Sequence, residues 1–295
     1  MKKAKVIFSN VFRYFYLTAI GFTILYPLLM LLSTSGKDLY GLVDPLVRWI
    51  PTSFEWKNYA RAFEAIGGLG VMLKSFGYIL LVSLIQTMMS AIIGYGFSKA
   101  RFRGHNILFV LMLLVFFIPD QVMFLPRYVM FSNYKILGTL WTIILPTLFG
   151  QGIKSSLMIL VFWLFYQQQP KVLEEAAFID GASVMKTFFK INLPLAKSGF
   201  IITFVLSFAF NWNDTYFSEI YFKDKIQTSN LLLQQVRETY TATYGATASA
   251  GMDAYFNSGI EAAAALLIIA PLVILYILLE RKMMDSIDKA GIAGE

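Results

Sequence analysis

The sequence contains no cysteine and a single histidine, His105. The first absence excludes a disulfide framework and any thiolate metal site, and the second excludes a ligand set built from several imidazoles. No G-x-x-x-x-G-K-[ST] run occurs, so the chain lacks the phosphate-cradling loop of a nucleotide-hydrolysing subunit. Charge is scarce as well: Asp, Glu, Lys and Arg make up 15% of the 295 residues. With no thiol nucleophile, no metal dyad and no paired carboxylates within the apolar runs, an intramembrane enzyme has nothing to work with. No catalytic residue and no metal ligand is assigned.

What is present is apolar. Hydrophobic residues fill 57% of positions and mean hydropathy is +0.62, against about 45–50% apolar residues in an ordinary soluble domain. The composition indicates an all-α integral membrane protein. Runs near the roughly 20 residues needed to cross about 30 Å of hydrocarbon lie at about 14–32, 71–97, 107–125, 139–165, 200–211 (extending to about 217) and 259–279, which predicts six transmembrane helices. The first run follows Lys2, Lys3 and Lys5 in the layout of a signal peptide, but it is too long for a signal h-region and no small-x-small site closes it. It is read as a retained helix. The expected organisation is an N-terminal helix with an outer loop over 1–70, then a transmembrane core over 71–295.

Basic residues orient these spans. With both termini inside, the inner pieces 1–13, 98–106, 166–199 and 281–295 carry 14 Lys and Arg in 71 positions, while the outer pieces 36–74, 126–139 and 212–258 carry 10 in 100. The positive-inside rule favours this arrangement. The net charge of +7 therefore follows membrane sidedness and not a nucleic-acid-binding stripe.

The same count places residues 170–199 in the cytoplasm, and this is the longest mixed polar stretch able to fold on its own. Pro170 pre-sets a helical φ where a missing N–H is harmless, and Glu174 and Glu175 put negative charge in the first turn. Leu173, Ala176, Ala177 and Asp180 then fall at i, i+3, i+4 and i+7 as a narrow face of mostly small side chains, and Gly181 ends the helix. Ser183 caps a second short helix in which Val184, Phe188 and Ile191 share a face before Pro194 interrupts the pattern. The product is a helix–turn–helix outside the bilayer.

Glu175-Ala176-Ala177, Gly181, Ile191, Leu193 and Pro194 stand at the spacing E-A-A, three residues, G, nine residues, I-x-L-P. This resembles the EAA loop in membrane subunits of bacterial ABC importers. Asp180-Gly181-Ala182-Ser183 and Leu193-Pro194-Leu195-x-Lys197 are similar more narrowly to the carbohydrate-uptake branch, in permeases like the second maltose-type membrane subunit, although Ser198 stands where that branch often has proline. The resemblance implies a coupling helix that docks into a cleft on a separate ATPase subunit, with Glu174, Glu175, Ala176, Ala177, Asp180, Gly181, Ala182, Ile191, Leu193 and Pro194 as the coupling residues. It implies a second permease subunit forming a heterodimer, two ATPase subunits holding ATP and Mg, an extracytoplasmic binding protein, and a bacterial cytoplasmic membrane location. No cofactor is expected in this chain and no nucleic-acid partner.

Several polar residues interrupt the spans. Pro119-Asp120-Gln121 breaks the third, and Pro146, Gly150 and Gly152 precede Lys154 in the fourth. A lysine at the centre of a membrane helix costs about 2.5–3.5 kcal/mol on insertion scales. Lys154 therefore either faces a wet cavity, beside substrate or a carboxylate, or snorkels from a shallow broken helix. Trp212 and Asn213 close the fifth span where sugar stacking and hydroxyl hydrogen bonds are conceivable, but a boundary tryptophan is read first as an anchor. Asp120, Gln121, Lys154, Trp212 and Asn213 form the candidate substrate path. The loop 36–70, with Trp49 and Trp56, reads as an aromatic belt, and His105, beside two arginines, as a solvated loop residue. The segment 218–258 predicts a small outer helix touching the binding protein. The tail from Asp285 to Glu295 resembles a glycine-containing C-terminus that reaches the ATPases, with Ala293 replacing a frequent lysine. An ion-coupled secondary transporter of a small polar solute is the alternative. It calls for carboxylates in relay positions, and only Asp120 lies near the membrane core.

Overall fold

The computed structural model describes the backbone of residues 2–47, 49–245 and 255–292, with side chains from 10 to 283 within those limits. Among the described residues every regular element is helical. The N-terminal part holds α1 (Lys2–Ser35), α2 (Leu39–Val43) and α3 (Lys57–Ala65). The long α4 (Gly68–Lys99) leads into α5 (His105–Val115), α6 (Phe124–Asn133), α7 (Trp141–Leu148) and α8 (Ser155–Gln167). Three short elements follow: α9 (Lys171–Ile179), α10 (Val184–Thr187) and α11 (Leu193–Leu195). The chain continues through α12 (Lys197–Trp212), α13 (Tyr216–Phe222), α14 (Ser229–Gln234), α15 (Val236–Tyr244) and α16 (Ser258–Ile292).

Three of these helices are long and apolar enough to cross a membrane alone: Asn10–Ser35 within α1, Gly68–Lys99, and Ser258–Met283 within α16. Two further apolar pairs are sharply bent, α5 with Asp120–Asn133 by 100° and Val184–Leu195 with α12 by 80°, and α8 is a shorter apolar helix. Six continuous helices are thus not what the apolar runs form. The third run breaks around Pro119, where a 3-10 turn over Asp120–Met123 replaces α-helix, and the fourth breaks between α7 and α8 at Gly150 and Lys154, both with positive φ. Proline removes a backbone donor, and glycine lowers the cost of leaving the helical region. The outer segment, expected as one small helix, contains α13, α14 and α15, and residues 246–254 within it lie outside the described residues.

The chain packs as two compact units, residues 1–68 with 232–269 and residues 69–231 with 270–295. In the first, Ala62, Ala65 and Ile66 of the α3 region and Val236, Tyr240, Ile260 and Ala263 are buried. Asn58 locks its loop by donating to the Ser35 and Lys37 carbonyls at 3.0 and 2.8 Å. Trp49 lies edge-on to Tyr26 at 5.5 Å, and Phe54, Trp56 and Tyr59 form a ring cluster in which Phe54 and Trp56 stay exposed.

Two apolar centres of the second unit lie among the described residues. Val82, Phe131, Ile143, Phe217, Tyr221 and Phe222 make one, and Ala91, Tyr95, Phe162, Tyr166, Phe188 and Ala196 make the other. Close approach of α4 to α8 depends on Gly94, because a Cβ there would lie 2.7 Å from Phe162 Cβ and 3.0 Å from the Ile159 carbonyl oxygen. The second centre continues into the 170–199 stretch through Phe188, so the polar elbow is seated on the core and does not swing free.

Candidate functional site

The elbow begins where the sequence places it. Pro170 precedes α9, and Gly181 takes φ +77° beyond it. Gly181 N donates to the Phe178 carbonyl at 3.0 Å and Ala182 N to the Ala177 carbonyl at 2.9 Å, the left-handed cap that satisfies the last carbonyls of a helix. Ser183 Oγ then accepts from Lys186 N at 3.3 Å and starts α10. This second helix does not stop at Pro194. A π turn over Phe188–Asn192, closed by Leu193 N donating to the Phe188 carbonyl, carries it through Pro194 to Leu195. The wider turn accommodates a residue with no N–H to give. Val184 is exposed while Phe188 is buried, so the face expected to unite Val184, Phe188 and Ile191 is split.

Burial divides the coupling residues into two groups. Glu175, Ala176, Asp180 and Gly181 are exposed, as is Pro194; Ala182, Ile191 and Leu193 are partly covered. Glu174 and Ala177 are buried instead. Glu174 is therefore not part of an open docking face. Its Oε1 lies 2.7 Å from Lys99 Nζ at the end of α4 and accepts from Asn192 Nδ2. Asn192 Nδ2 also donates to Gln169 Oε1 and its carbonyl accepts from Gln169 Nε2, both at 2.9 Å. This clamp of Lys99, Gln169, Glu174 and Asn192 ties both arms of the elbow to α4. Charged at one corner and shielded from water, it fixes the elbow against α4. Outside the clamp, Val172, Ile179, Val184 and Met185 present exposed apolar side chains, with Ile179 86% exposed. A polar membrane-protein loop that leaves such side chains uncovered offers a surface for another protein.

The two helix breaks meet in the second unit. Lys154 Nζ lies 3.1 Å from Asp120 Oδ2, each side chain about one third exposed at 33% and 34%, and the ammonium is 5.9 Å from the Phe116 ring. The lysine is thus offset by a carboxylate at the break before α8, where it has positive φ. Arg127 Nη2 approaches Gln151 Oε1 at 3.5 Å beside this pair. Gln121 is exposed next to Asp120. Trp212 is corrected from an anchor to a core residue: it is 1% exposed, stacked on Phe208 at 5.5 Å and edge-on to Phe76 at 6.3 Å. Asn213 is exposed and donates back to the Ala209 carbonyl at 2.9 Å, which finishes α12.

Residues that the sequence reading passed over hold the centre. Gln86 Nε2 donates to the Ile153 carbonyl at 2.6 Å and Ser155 Oγ at 3.1 Å, and its Oε1 accepts from Ser207 Oγ at 2.7 Å and Asn211 Nδ2 at 2.8 Å. One buried amide joins α4, the α7–α8 break and α12. A lone glutamine inside the 71–97 run was the available signal, since an isolated polar side chain in hydrocarbon must find partners. His105 is not a free loop side chain either: Nε2 is 2.8 Å from the Phe97 carbonyl oxygen, holding the start of α5 to α4. The C-terminal tail's side chains lie outside the described residues. Among the described residues no group of three or more His, Cys, Asp or Glu is placed to hold a metal ion.

Comparison with known proteins agrees with this geometry. Residues 86–285 match the family described as "Binding-protein-dependent transport system inner membrane component". The chain is 26% identical over 286 residues to the "Probable ABC transporter permease protein YurM" of Bacillus subtilis, covering 96% of this chain and 87% of the relative. It is 24% identical over 279 residues to the "Arabinooligosaccharides transport system permease protein AraQ" of Halalkalibacterium halodurans, covering 93% of each. Among solved structures, a chain of a bacterial ABC transporter involved in the import of the acidic polysaccharide alginate superposes with a TM-score of 0.70 at 16% identity, covering 92% of this chain and 95% of that one. That likeness concerns the fold.

Proposed function

Because this chain belongs to the family of binding-protein-dependent transport system inner membrane components, we propose that it is the permease subunit through which a bacterial ABC importer passes a carbohydrate by alternating access. A separate pair of ATPase subunits binds ATP and Mg, a second permease completes the pathway as a heterodimer, and an extracytoplasmic binding protein delivers the sugar. Both termini and the 170–199 elbow lie in the cytoplasm, and the six apolar runs form six passages, some of them broken. The carbohydrate assignment is supported by the roles of the relative AraQ, an arabinooligosaccharide permease, and of the alginate importer.

The observation that carries the reading is the elbow: exposed apolar side chains at Val172, Ile179, Val184 and Met185, on a frame pinned to α4 through Glu174 and Lys99. ATP closes the nucleotide-binding dimer, the elbow follows as a rigid lever, and the cavity opens outward; hydrolysis resets it. A ligand shifts such an equilibrium only by differential contacts with the two states, and this face supplies them. An ion-coupled carrier is less well served, because Asp120 already pairs with Lys154. The test is binding-protein-stimulated ATP hydrolysis by the reconstituted complex, wild type against Gly181→Trp. Gly181 has open space around it and a positive φ, so the substitution perturbs the elbow's outer surface and its turn. Loss of stimulation with assembly intact supports the reading, and unchanged stimulation refutes it.

A further inference from the structure

The first half of α4 carries a notch. Leu73, Gly77 and Leu81 stand at i, i+4 and i+8 on one helix face, and both leucines are exposed, at 59% and 48%. A Cβ built on Gly77 meets nothing within 4 Å, so the glycine leaves open space between them. The notch belongs to a groove of about 840 Å³ that runs along α4 from Val71 to Leu81 and is walled on its other sides by Leu140 and the 224–228 turn, all within the second unit. That volume falls in the range of about 300–1,000 Å³ found for ligand sites. The walls are tied together: Ser75 Oγ donates to the Val71 carbonyl at 2.8 Å and accepts from Ser229 N at 3.0 Å, and Tyr78 lies edge-on to Phe222 at 5.9 Å. Ten residues of helix rise about 15 Å, half of a hydrocarbon core about 30 Å thick. The groove therefore has the depth of one leaflet, the outer one on the orientation proposed above.

Charge gathers at the same groove. Lys74 and Lys225 line it beside Asp224; all three are exposed, and none lies within ion-pair distance of an opposite charge among the described residues. Two ammonium groups against one carboxylate leave the lining net positive. The aliphatic stem of Lys225 is placed by Gly138, where an added Cβ would lie 2.6 Å from Lys225 Cδ, so the lysine covers backbone with its stem and keeps its head at the surface. The neighbouring Lys223 lies over the Tyr128 ring instead, 5.1 Å from its centroid. A soluble solute would leave the leucine notch unfilled, and a lipid without net charge would leave the lysines uncompensated. We propose that this groove holds one anionic phospholipid, its acyl chain in the notch of Leu73, Gly77 and Leu81 and its phosphate at Lys74 and Lys225. The proposal takes from the importer reading only the leaflet in which the lipid lies.

The experiment uses the complete importer, with its own second permease and ATPase, in phosphatidylethanolamine nanodiscs doped with a trace of phosphatidylglycerol or phosphatidylcholine that carries a diazirine on one acyl chain. After irradiation, label is quantified on peptides covering 69–82 and, as a control for bulk lipid, on those covering 264–279 of α16. A lysine beside an anionic lipid is worth roughly fivefold in affinity, so phosphatidylglycerol should label 69–82 at least fivefold more than phosphatidylcholine does. Lys74→Gln with Lys225→Gln should bring that ratio close to one. Gly77→Phe, which fills the notch without a clash, should lower both labels on 69–82 at least tenfold and leave those on 264–279 unchanged; if it does not fold, the lysine variant decides alone. Glycerol 1-phosphate in excess should not compete, and displacement by it would overturn the proposal in favour of a site for free phosphate. Equal labelling by the two lipids in wild type, or a ratio unmoved by the lysine variant, overturns it by making the groove ordinary bilayer contact. Absence of label on 69–82 in the assembled wild type overturns it too, by giving the groove to the second permease. Failure of the chain to bind an ATPase is the separate result that sinks the importer reading, and the labelling of the chain itself is read regardless.

Discussion

Replacing Glu174 by alanine removes the acidic corner of the elbow clamp and leaves Lys99 and Asn192 facing a shielded gap. The ion pair is mostly covered, with side-chain exposures of 17% for Lys99 and 11% for Glu174. Breaking one side of a buried pair costs about 3–5 kcal/mol, and the residual exposure here places the effect at the lower end, about 3 kcal/mol. At 1.4 kcal/mol per tenfold change, that is roughly a 100-fold rise in local opening of the elbow. Amide hydrogen exchange reads this directly, because protection of a local unit follows its own opening free energy. Peptides covering 171–195 should exchange about 100-fold faster in Glu174→Ala, those covering the middle of α4 should not change, and Glu174→Gln should fall between because it keeps a hydrogen-bond partner for Asn192. Unchanged protection of 171–195 in Glu174→Ala would refute the clamp.

Other outcomes follow from the same contacts. Gln86→Leu removes four hydrogen bonds, three of them buried, and at about 0.6 kcal/mol each in a membrane interior it should lower stability by about 2 kcal/mol, seen as a reduced melting temperature in detergent; an unchanged Tm would contradict the hub. Lys154→Met should reduce the folded yield by stranding Asp120, while Lys154→Met with Asp120→Asn should recover it; a double variant no better than the single one would show that the pair is not coupled. Gly94→Leu should abolish folding, since even a Cβ reaches Phe162 and the Ile159 carbonyl, and a well-folded variant would disprove the α4–α8 contact. Burial raises the Tyr240 phenol, with Arg61 opposing. The folded chain thus holds that proton more tightly, and the contribution is complete below the ordinary tyrosine value of about 10 and lost as pH climbs through the raised one. Wild type should therefore lose Tm faster than Tyr240→Phe over an alkaline series, and parallel curves would refute this.

The elbow was the most legible part of the chain, because its signals are local: a proline start, a glycine stop at Gly181, a Ser183 cap. Which side of α9 faces inward was not legible, since Glu174 finds its partner Lys99 75 positions earlier and helix-face counting cannot see another helix. Trp212 shows the same limit. Position at a span's end suggested an anchor, whereas Phe76, far away in sequence, closes it into the core. The apolar runs located the spans but not their breaks in full, because Pro27 and Pro271 sit inside continuous helices while Pro119 accompanies a 100° bend. Proline permits a break; the neighbours that satisfy the freed carbonyls decide it.

The central claim is that the exposed face of the elbow meets the ATPase. The chain has no cysteine, so a single Ile179→Cys, at a side chain 86% exposed, gives a clean reporter. Cross-linking it within the assembled importer should yield one adduct, with the ATPase subunit, whose formation changes on adding ATP. An assembled, ATP-hydrolysing complex in which Ile179→Cys forms no adduct with the ATPase would contradict the account.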